Sequence, residues 1–380
     1  MAIKFTQSEE TYIHNAGLVR DWTGSSAKTE ATLHQLSPYI GKIKSSMAAS
    51  LVDQFTKRGQ VVYDPFSGSG TIALAAWLAG RRVVANDLSP YAYLLTRAKL
   101  FPYASADDAL SEIAMLSPCA ETMRDTVDLR TVPRWVTQFF HPKTLREIVA
   151  WSEVLKRRRA SFLMACLLGI LHHQRPGFLS FPSSHTVPYL RTKRFPRARF
   201  PELYSYRSLR NRLEAKVKRA LRRVPNLNLG IDRQCFSKDA SRLVLSGPVD
   251  AIITSPPYMR QLDYGRDNRL RLWFLGTTDW NALDQAVTPS EAQFLDLMRG
   301  CLALWRNLLC KGSYCVLVLG DAVSRIYRKP LPDAVRDIAI SEVGGFSFQL
   351  AYKDRIPAVR RVRRDCRGNL AETILVLRRS

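Results

Sequence analysis

The chain has 380 residues, 46% of them hydrophobic, with 57 lysines and arginines against 33 acids and a net charge of +24. Its longest apolar run, 162–171, is too short to cross a bilayer and reads as a buried helix. Seven cysteines without a Cys-x-x-Cys or a regular spacing argue against a disulfide framework and against structural zinc, and for a reducing cytoplasm.

In chain order, residues 1–33 are mixed and uninformative, and the start at Met1-Ala2-Ile3-Lys4 lacks a signal-peptide core. A helix is expected at 46–56 and a short strand at 60–63. Asp64-Pro65-Phe66-Ser67-Gly68-Ser69-Gly70-Thr71 follows, and then an apolar helical run at 72–79 that ends at Gly80. Strand, glycine-rich loop and helix is the layout that lets a backbone approach a cofactor closely, with Gly68 and Gly70 supplying positive φ angles. The next strand, 82–85, ends in Asn86-Asp87. An acid at the tip of a second strand is placed to accept hydrogen bonds from ribose hydroxyls. Ser89 and Pro90 supply the N-cap and first turn of the following helix, which leaves Asp87 free.

From 101 to about 228 the strand–helix alternation lapses. Helices are expected at 105–116, 143–173 and 206–223, around a proline-broken basic loop at 176–201. Between Lys156 and Arg223 stand 18 lysines and arginines against two acids, Glu202 and Glu214. Arg191, Lys193, Arg194, Arg197 and Arg199 alternate with Phe, Pro and Tyr, a pattern suited to lying on phosphates. His172 and His173, the only adjacent histidines, point to different sides of a helix and make a poor metal site.

Strands at 232–236 and 249–253 come next, and the second runs into Thr254-Ser255-Pro256-Pro257-Tyr258. Two prolines cannot extend a hydrogen-bonded strand, so they force an elbow. The elbow offers the Ser255 hydroxyl, proline carbonyls and the aromatic Tyr258, a set suited to gripping a flat ring that carries an exocyclic amine. Thr288-Pro289-Ser290-Glu291 has the pattern of a capping box and opens a helix with one apolar face. A strand at 314–319, a helix at 331–342 and strands at 346–352 and 372–377 complete seven strands. A second basic patch spans 355–367.

DPFSGSGT at 64–71, NDLSPYA at 86–92 and TSPPY at 254–258 together resemble the S-adenosylmethionine-dependent DNA amino-methyltransferases, which methylate cytosine N4 or adenine N6. The resemblance covers about 34–100 and 229–380. It implies an α/β class I methyltransferase fold: a seven-stranded, mostly parallel, doubly wound sheet in the order 3-2-1-4-5-7-6, with an inserted, mainly helical, basic subdomain. The implied organisation is an N-terminal segment at 1–58 contributing to the cofactor site, a catalytic domain at 59–100 and 229–380, and a target-recognition subdomain at 101–228.

By the same resemblance, S-adenosyl-L-methionine is bound by Tyr39, Lys42, Asp64, Pro65, Phe66, Ser67, Gly68, Gly70, Thr71, Asp87 and Asp239. The catalytic elbow is Ser255, Pro256, Pro257 and Tyr258. No metal is implied, and no cysteine sits in a Pro-Cys loop like that of the carbon-5 cytosine methylases. The substrate implied is double-stranded DNA with the target base flipped out, a cognate restriction endonuclease is a candidate partner, and the place of work is the cytoplasm at the nucleoid. Ser at the first elbow position favours cytosine. The order of motifs, glycine loop before elbow, is more familiar among adenine enzymes. An RNA amino-methyltransferase and a catalytically inactive DNA-binding subunit are the competing readings.

Overall fold

The computed structural model describes Trp22 and residues 30–185, 187–225, 227–258, 262–287, 290–356 and 370–380. The chain enters through α1 (Ser45–Phe55) and β1 (Val61–Asp64), then α2 (Thr71–Leu78), β2 (Arg82–Asn86) and α3 (Pro90–Leu100). Five helices follow before the sheet resumes: α4 (Ala106–Thr126), α5 (Arg134–Thr137), α6 (Pro142–Arg157), α7 (Ser161–Gly169) and α8 (Leu209–Ala220). Next come β3 (Arg233–Phe236), β4 (Val249–Thr254), α9 (Tyr264–Phe274), α10 (Trp280–Val287), α11 (Glu291–Leu308) and β5 (Leu309–Gly320). A small hairpin of β6 (Val323–Ser324) and β7 (Lys329–Pro330), then α12 (Leu331–Asp337), β8 (Phe346–Arg355) and β9 (Ala371–Arg379), close the chain.

The main sheet has the order β3-β2-β1-β4-β5-β9-β8. All pairings up to β5 are parallel, whereas β9 lies antiparallel between β5 and β8. This is the α/β fold of the class I methyltransferases, in the strand order expected. The inner strands β1, β2, β4, β5 and β9 carry runs of residues buried on both faces, as a parallel sheet between helices requires. Successive side chains therefore enter two different cores. Val62, Ala85, Ile253 and Val318 pack in the larger core with α1, α2, α3 and α7. Tyr63, Val84, Ile252 and Leu317 pack in the smaller core with α11 and α12. Helices α7 and α8 of the inserted stretch share the larger core with the sheet.

Several boundaries differ from the sequence expectation. The helix expected over 143–173 is two, α6 and α7, because Arg159 takes a left-handed turn (φ 54°) between them. The apolar α7 is buried throughout, as its composition implied. The N-cap of α11 is Ser290: its Oγ accepts the Gln293 N–H at 3.4 Å while Gln293 Oε1 accepts the Ser290 N–H at 2.9 Å. Thr288 and Pro289, in which the cap was sought, lie outside the described residues. So do residues 357–369, which hold most of the second basic patch. Helices α9 and α10 and the β6–β7 hairpin were not anticipated. The α9 segment shows why: Gly265, Asp267, Asn268, Leu270, Arg271, Leu272 and Phe274 are all buried, so its polar and apolar residues follow no helical period.

Candidate active site

β1 and β4 lie side by side at the point where the strand order reverses, the place where open α/β sheets hold ligands. Beyond their C-terminal ends lies a cavity of about 280 Å³. Tyr39, Lys42, Asp64, Pro65, Phe66, Ser67, Gly68, Thr71, Asp87, Asp239, Ser255, Pro257 and Tyr258 all border it. Two loops separated by nearly two hundred residues thus share one hollow. Gly70 and Pro256 are not among the residues that line it.

The glycine loop is shaped by its neighbours. Gly68 (φ 50°) and Gly70 (φ 71°) both have left-handed backbones. At Gly70 a Cβ would come within 2.8 Å of the Thr96 backbone on α3, a separation that no real side chain tolerates. Asp87 fastens the loop from the β2 tip: its Oδ2 accepts the Gly68 N–H at 2.8 Å and its Oδ1 the Ser89 N–H at 2.9 Å. The carboxylate expected to stand free therefore already bridges the loop and the start of α3. Burial pushes Asp87 up to about 6, against the pull of those two N–H groups. Asn86, fully buried, donates to the Pro65 and Lys238 carbonyls and accepts the Lys238 N–H, which ties together the tips of β1, β2 and β3.

The segment before α1 reaches the cavity by a direct link between two sequence motifs. Ser37 Oγ lies 2.6 Å from Tyr91 Oη, which donates to the Pro38 carbonyl at 2.8 Å. This sets the Tyr39 ring between Tyr91 and Tyr264, with centroids 6.0 and 6.2 Å away. Lys42 donates its ammonium to the His34 carbonyl, and burial lowers its pKa. Asp239 opens a turn, its Oδ1 accepting both the N–H and the Oγ–H of Ser241.

On the other side, the elbow is tied to the sheet. Thr254 Oγ1 donates to Asp64 Oδ1 and accepts the Phe66 N–H. Asp64 is 1% exposed, and desolvation pushes it up to about 8 against the Thr254 hydrogen bond. Ser255 Oγ donates a hydrogen bond to the Val318 carbonyl on β5 at 3.2 Å and lies against the Tyr258 hydroxyl. Tyr258 is buried among Ile40 and Leu262, and its hydroxyl donates to Glu372 Oε1 on β9 at 2.5 Å. Burial raises the pKa of Glu372 as well.

Sequence reasoning missed the far wall. Gln285 and Val287 on α10, with Gln293 and Leu297 on α11, complete the cavity. Asp284 accepts the N–H groups of Gly265 (2.9 Å) and Arg266 (3.2 Å), so α10 is pinned to the first turn of α9. Only the apolar face of α11 signalled any of this, and it reports the core rather than the cavity.

The basic loop of the insert lies outside the cavity but reaches its rim. Lys193, Arg194, Arg197 and Arg199 are exposed and Arg191 is half-buried. Four guanidinium groups stand over aromatic rings: Arg191 over Tyr189, Arg194 over Phe195, Arg197 over Tyr204 and Arg199 over Phe200, at 5.5–5.8 Å. Arg269 on α9 donates to the Pro188 carbonyl at 2.6 Å, and Arg271, 1% exposed, to that of His185 at 3.1 Å. Val187 packs against the Ile40–Tyr258–Leu262 cluster. Not every cation of the block faces out. Buried Arg207 holds the Phe178, Ser180 and Leu203 carbonyls, and Lys216 donates to the Gln35 carbonyl. His172 bonds the Ser184 carbonyl while His173 stacks on Phe178. Among the described residues no cluster of His, Cys, Asp or Glu is arranged as metal ligands, and no helix is long and apolar enough to cross a membrane.

Residues 20–97 match a family model described as DNA methylase. The chain is 24% identical over 302 residues to the Type II methyltransferase M.BsoBI of Geobacillus stearothermophilus, across 71% of this chain and 57% of that protein. It therefore spans little more than half the length of that relative. Among solved structures, TrmN from Thermus thermophilus is 14% identical, with 88% of this chain and 48% of that one covered. The glycopeptide N-methyltransferase MtfA, solved with S-adenosyl-L-methionine, is 11% identical over 90% of this chain and 88% of that one. Both have a TM-score of 0.34, a likeness too slight to argue from.

Proposed function

We propose that this chain, which matches a DNA methylase family model over residues 20–97 and is similar to a Type II methyltransferase, methylates the exocyclic N4 amine of a cytosine flipped out of double-stranded DNA. The observation that carries this reading is the single cavity shared by the glycine loop and the Ser-Pro-Pro-Tyr elbow. S-adenosyl-L-methionine, the cofactor of the family, supplies an electrophilic methyl group on a sulfonium. The residues present suit it: the acids Asp64 and Asp87 and the rings of Tyr39, Tyr258 and Tyr264 border the space that a cation would enter.

In this reading Asp87 holds the ribose and Asp239 the adenine amine, while 66–70 pass beneath the cofactor and Tyr39 and Lys42 lie toward its methionine end. The flipped base costs a few kcal/mol to extrude. Stacking on Tyr258 returns about 1–3 kcal/mol of that. The amine is a poor nucleophile because its lone pair is delocalised into the ring. Ser255 Oγ and the Pro256 carbonyl accept hydrogen bonds from its two N–H groups and favour a more tetrahedral nitrogen. Ser255 is suited to this because its own proton is already committed to Val318. No covalent intermediate is required, so the rate comes from positioning and from acceptors fixed in a water-poor pocket. Residues 101–228 serve target recognition, with Arg191, Lys193, Arg194, Arg197 and Arg199 on the phosphates.

Ser255 at the head of the elbow supports cytosine, whereas the glycine loop preceding the elbow supports adenine. Incubation with methyl-labelled cofactor and unmethylated DNA, followed by digestion to nucleosides, separates them. N4-methylcytosine is the expected product. N6-methyladenine would transfer the assignment to adenine, and label confined to RNA would overturn the DNA reading. Duplex binding without cofactor binding or label would identify an inactive DNA-binding subunit.

A further inference from the structure

The β6–β7 hairpin does not border the cavity, yet it is built as a rigid projection beside it. Ser324 Oγ (2.7 Å) and the Ile326 N–H (2.9 Å) both donate to Glu291 Oε1, at the first residue of α11. Gln293 and Leu297 of that helix line the cavity. Tyr327 braces the turn: its N–H donates to Ser324 Oγ, and its hydroxyl accepts from Arg299 and donates to Glu342. From this fixed base Val323 and Ile326 project with 58% and 57% of their surface exposed, flanked by exposed Arg325 and Arg328. Arg328 has φ 55°, a left-handed conformation that strains any residue with a Cβ and that glycine adopts freely. Among the described residues nothing covers this strained turn, which carries a guanidinium.

The hairpin and the insert's basic loop lie on opposite faces of the sheet. The basic loop reaches Tyr258 through Val187 and is held by α9, whose Leu270 and Leu272 belong to the larger core. The hairpin is held by α11, which packs in the smaller core. A duplex that delivers one nucleotide into the cavity between them meets cations from both sides. We propose that the hairpin is a second duplex-binding element, with Arg325 and Arg328 on phosphates and Ile326 as an apolar tip against the base stack left by the extruded nucleotide. This inference rests on the reading of duplex DNA as substrate.

Arg328→Gly makes charge and strain act in opposite directions. The full chain carrying it should melt at or above the wild-type temperature and bind S-adenosyl-L-methionine unchanged. Its affinity for a duplex should drop about fivefold, and the slope of log affinity against log salt should become shallower by about one. Ile326→Ser should lose turnover on a fully paired duplex and regain most of it when the target faces an abasic site, where extrusion is easy. Wild-type affinity, salt slope and turnover in both variants would overturn the hairpin proposal while leaving methylation of DNA standing. A wild-type protein that binds no duplex would overturn both.

Discussion

Thr254 Oγ1 donates a 2.7 Å hydrogen bond to Asp64 Oδ1 and accepts the Phe66 N–H at 3.1 Å. One hydroxyl at the tip of β4 therefore sets the start of the glycine loop, and the next residue of the same strand is the head of the elbow. The two loops are registered against each other by a side chain that belongs to neither ligand.

Thr254→Val removes both halves of that link and leaves the buried Asp64 carboxyl with the Phe66 N–H but without its hydroxyl donor. Stability should fall by about 1–3 kcal/mol. Cofactor affinity and turnover should fall together, because one loop shifts against the other. Thr254→Ser keeps the hydroxyl and should restore both. Calorimetric titration with the cofactor beside a thermal melt reads these outcomes; a Val variant with wild-type affinity would remove Thr254 from this role.

The buried acids make stability depend on pH. Asp64 is raised from 3.8 to about 8 and Asp87 from 3.8 to about 6, both by desolvation. A carboxyl whose folded pKa is raised favours the folded state most at low pH, and that contribution is lost as pH rises through the folded value. Asp87 should therefore cost stability between about pH 4 and 6, and Asp64 between about pH 4 and 8. Asp64→Asn keeps an acceptor for Thr254 and cannot ionise. Its melting temperature should vary less between pH 6 and 9 than that of the wild type.

At the elbow, Ser255→Ala should leave cofactor binding intact and lower turnover by about 10²- to 10³-fold, the scale for losing one preorganised hydrogen-bonding group. Tyr258→Ala should lose the stacking face, about 1–3 kcal/mol of base affinity. Tyr258→Phe keeps the ring but releases it from Glu372. It should fall between wild type and alanine, and Glu372→Gln should add nothing further to it in a double-mutant cycle. Normal methyl transfer by both the Ser255 and Tyr258 alanine variants would sink the assignment of the elbow.

The cations of the insert divide into two classes. Arg207→Ala removes a buried guanidinium from three carbonyls and should destabilise the fold whether or not DNA is present. Arg194→Ala and Arg197→Ala should leave melting within about 0.5 kcal/mol of wild type. Each should make the salt dependence of duplex binding shallower by about one unit of slope. Equal salt slopes in wild type and variants would place the contact surface elsewhere.

The local signals in this chain were strong wherever they were short-range. Glycines at 68 and 70 demand left-handed backbone, paired prolines at 256 and 257 end a strand, and apolar runs at 249–253 and 314–319 mark strands buried on both faces. Those features, taken alone, determined the α/β pattern, the two loops and most of the residues around the cavity. Tertiary structure decided what depends on partners distant in sequence. It showed that Asp87 is engaged by Gly68 and Ser89, that Tyr258 is tethered to Glu372, and that α10 and α11 close the far wall. It also separated Arg207, turned inward, from Arg194 and Arg197, turned outward. A hydrogen bond across 114 residues leaves no periodicity in a sequence, and a guanidinium reads the same whether its field ends on a carbonyl or in solvent. Only the packing of elements distinguishes the two.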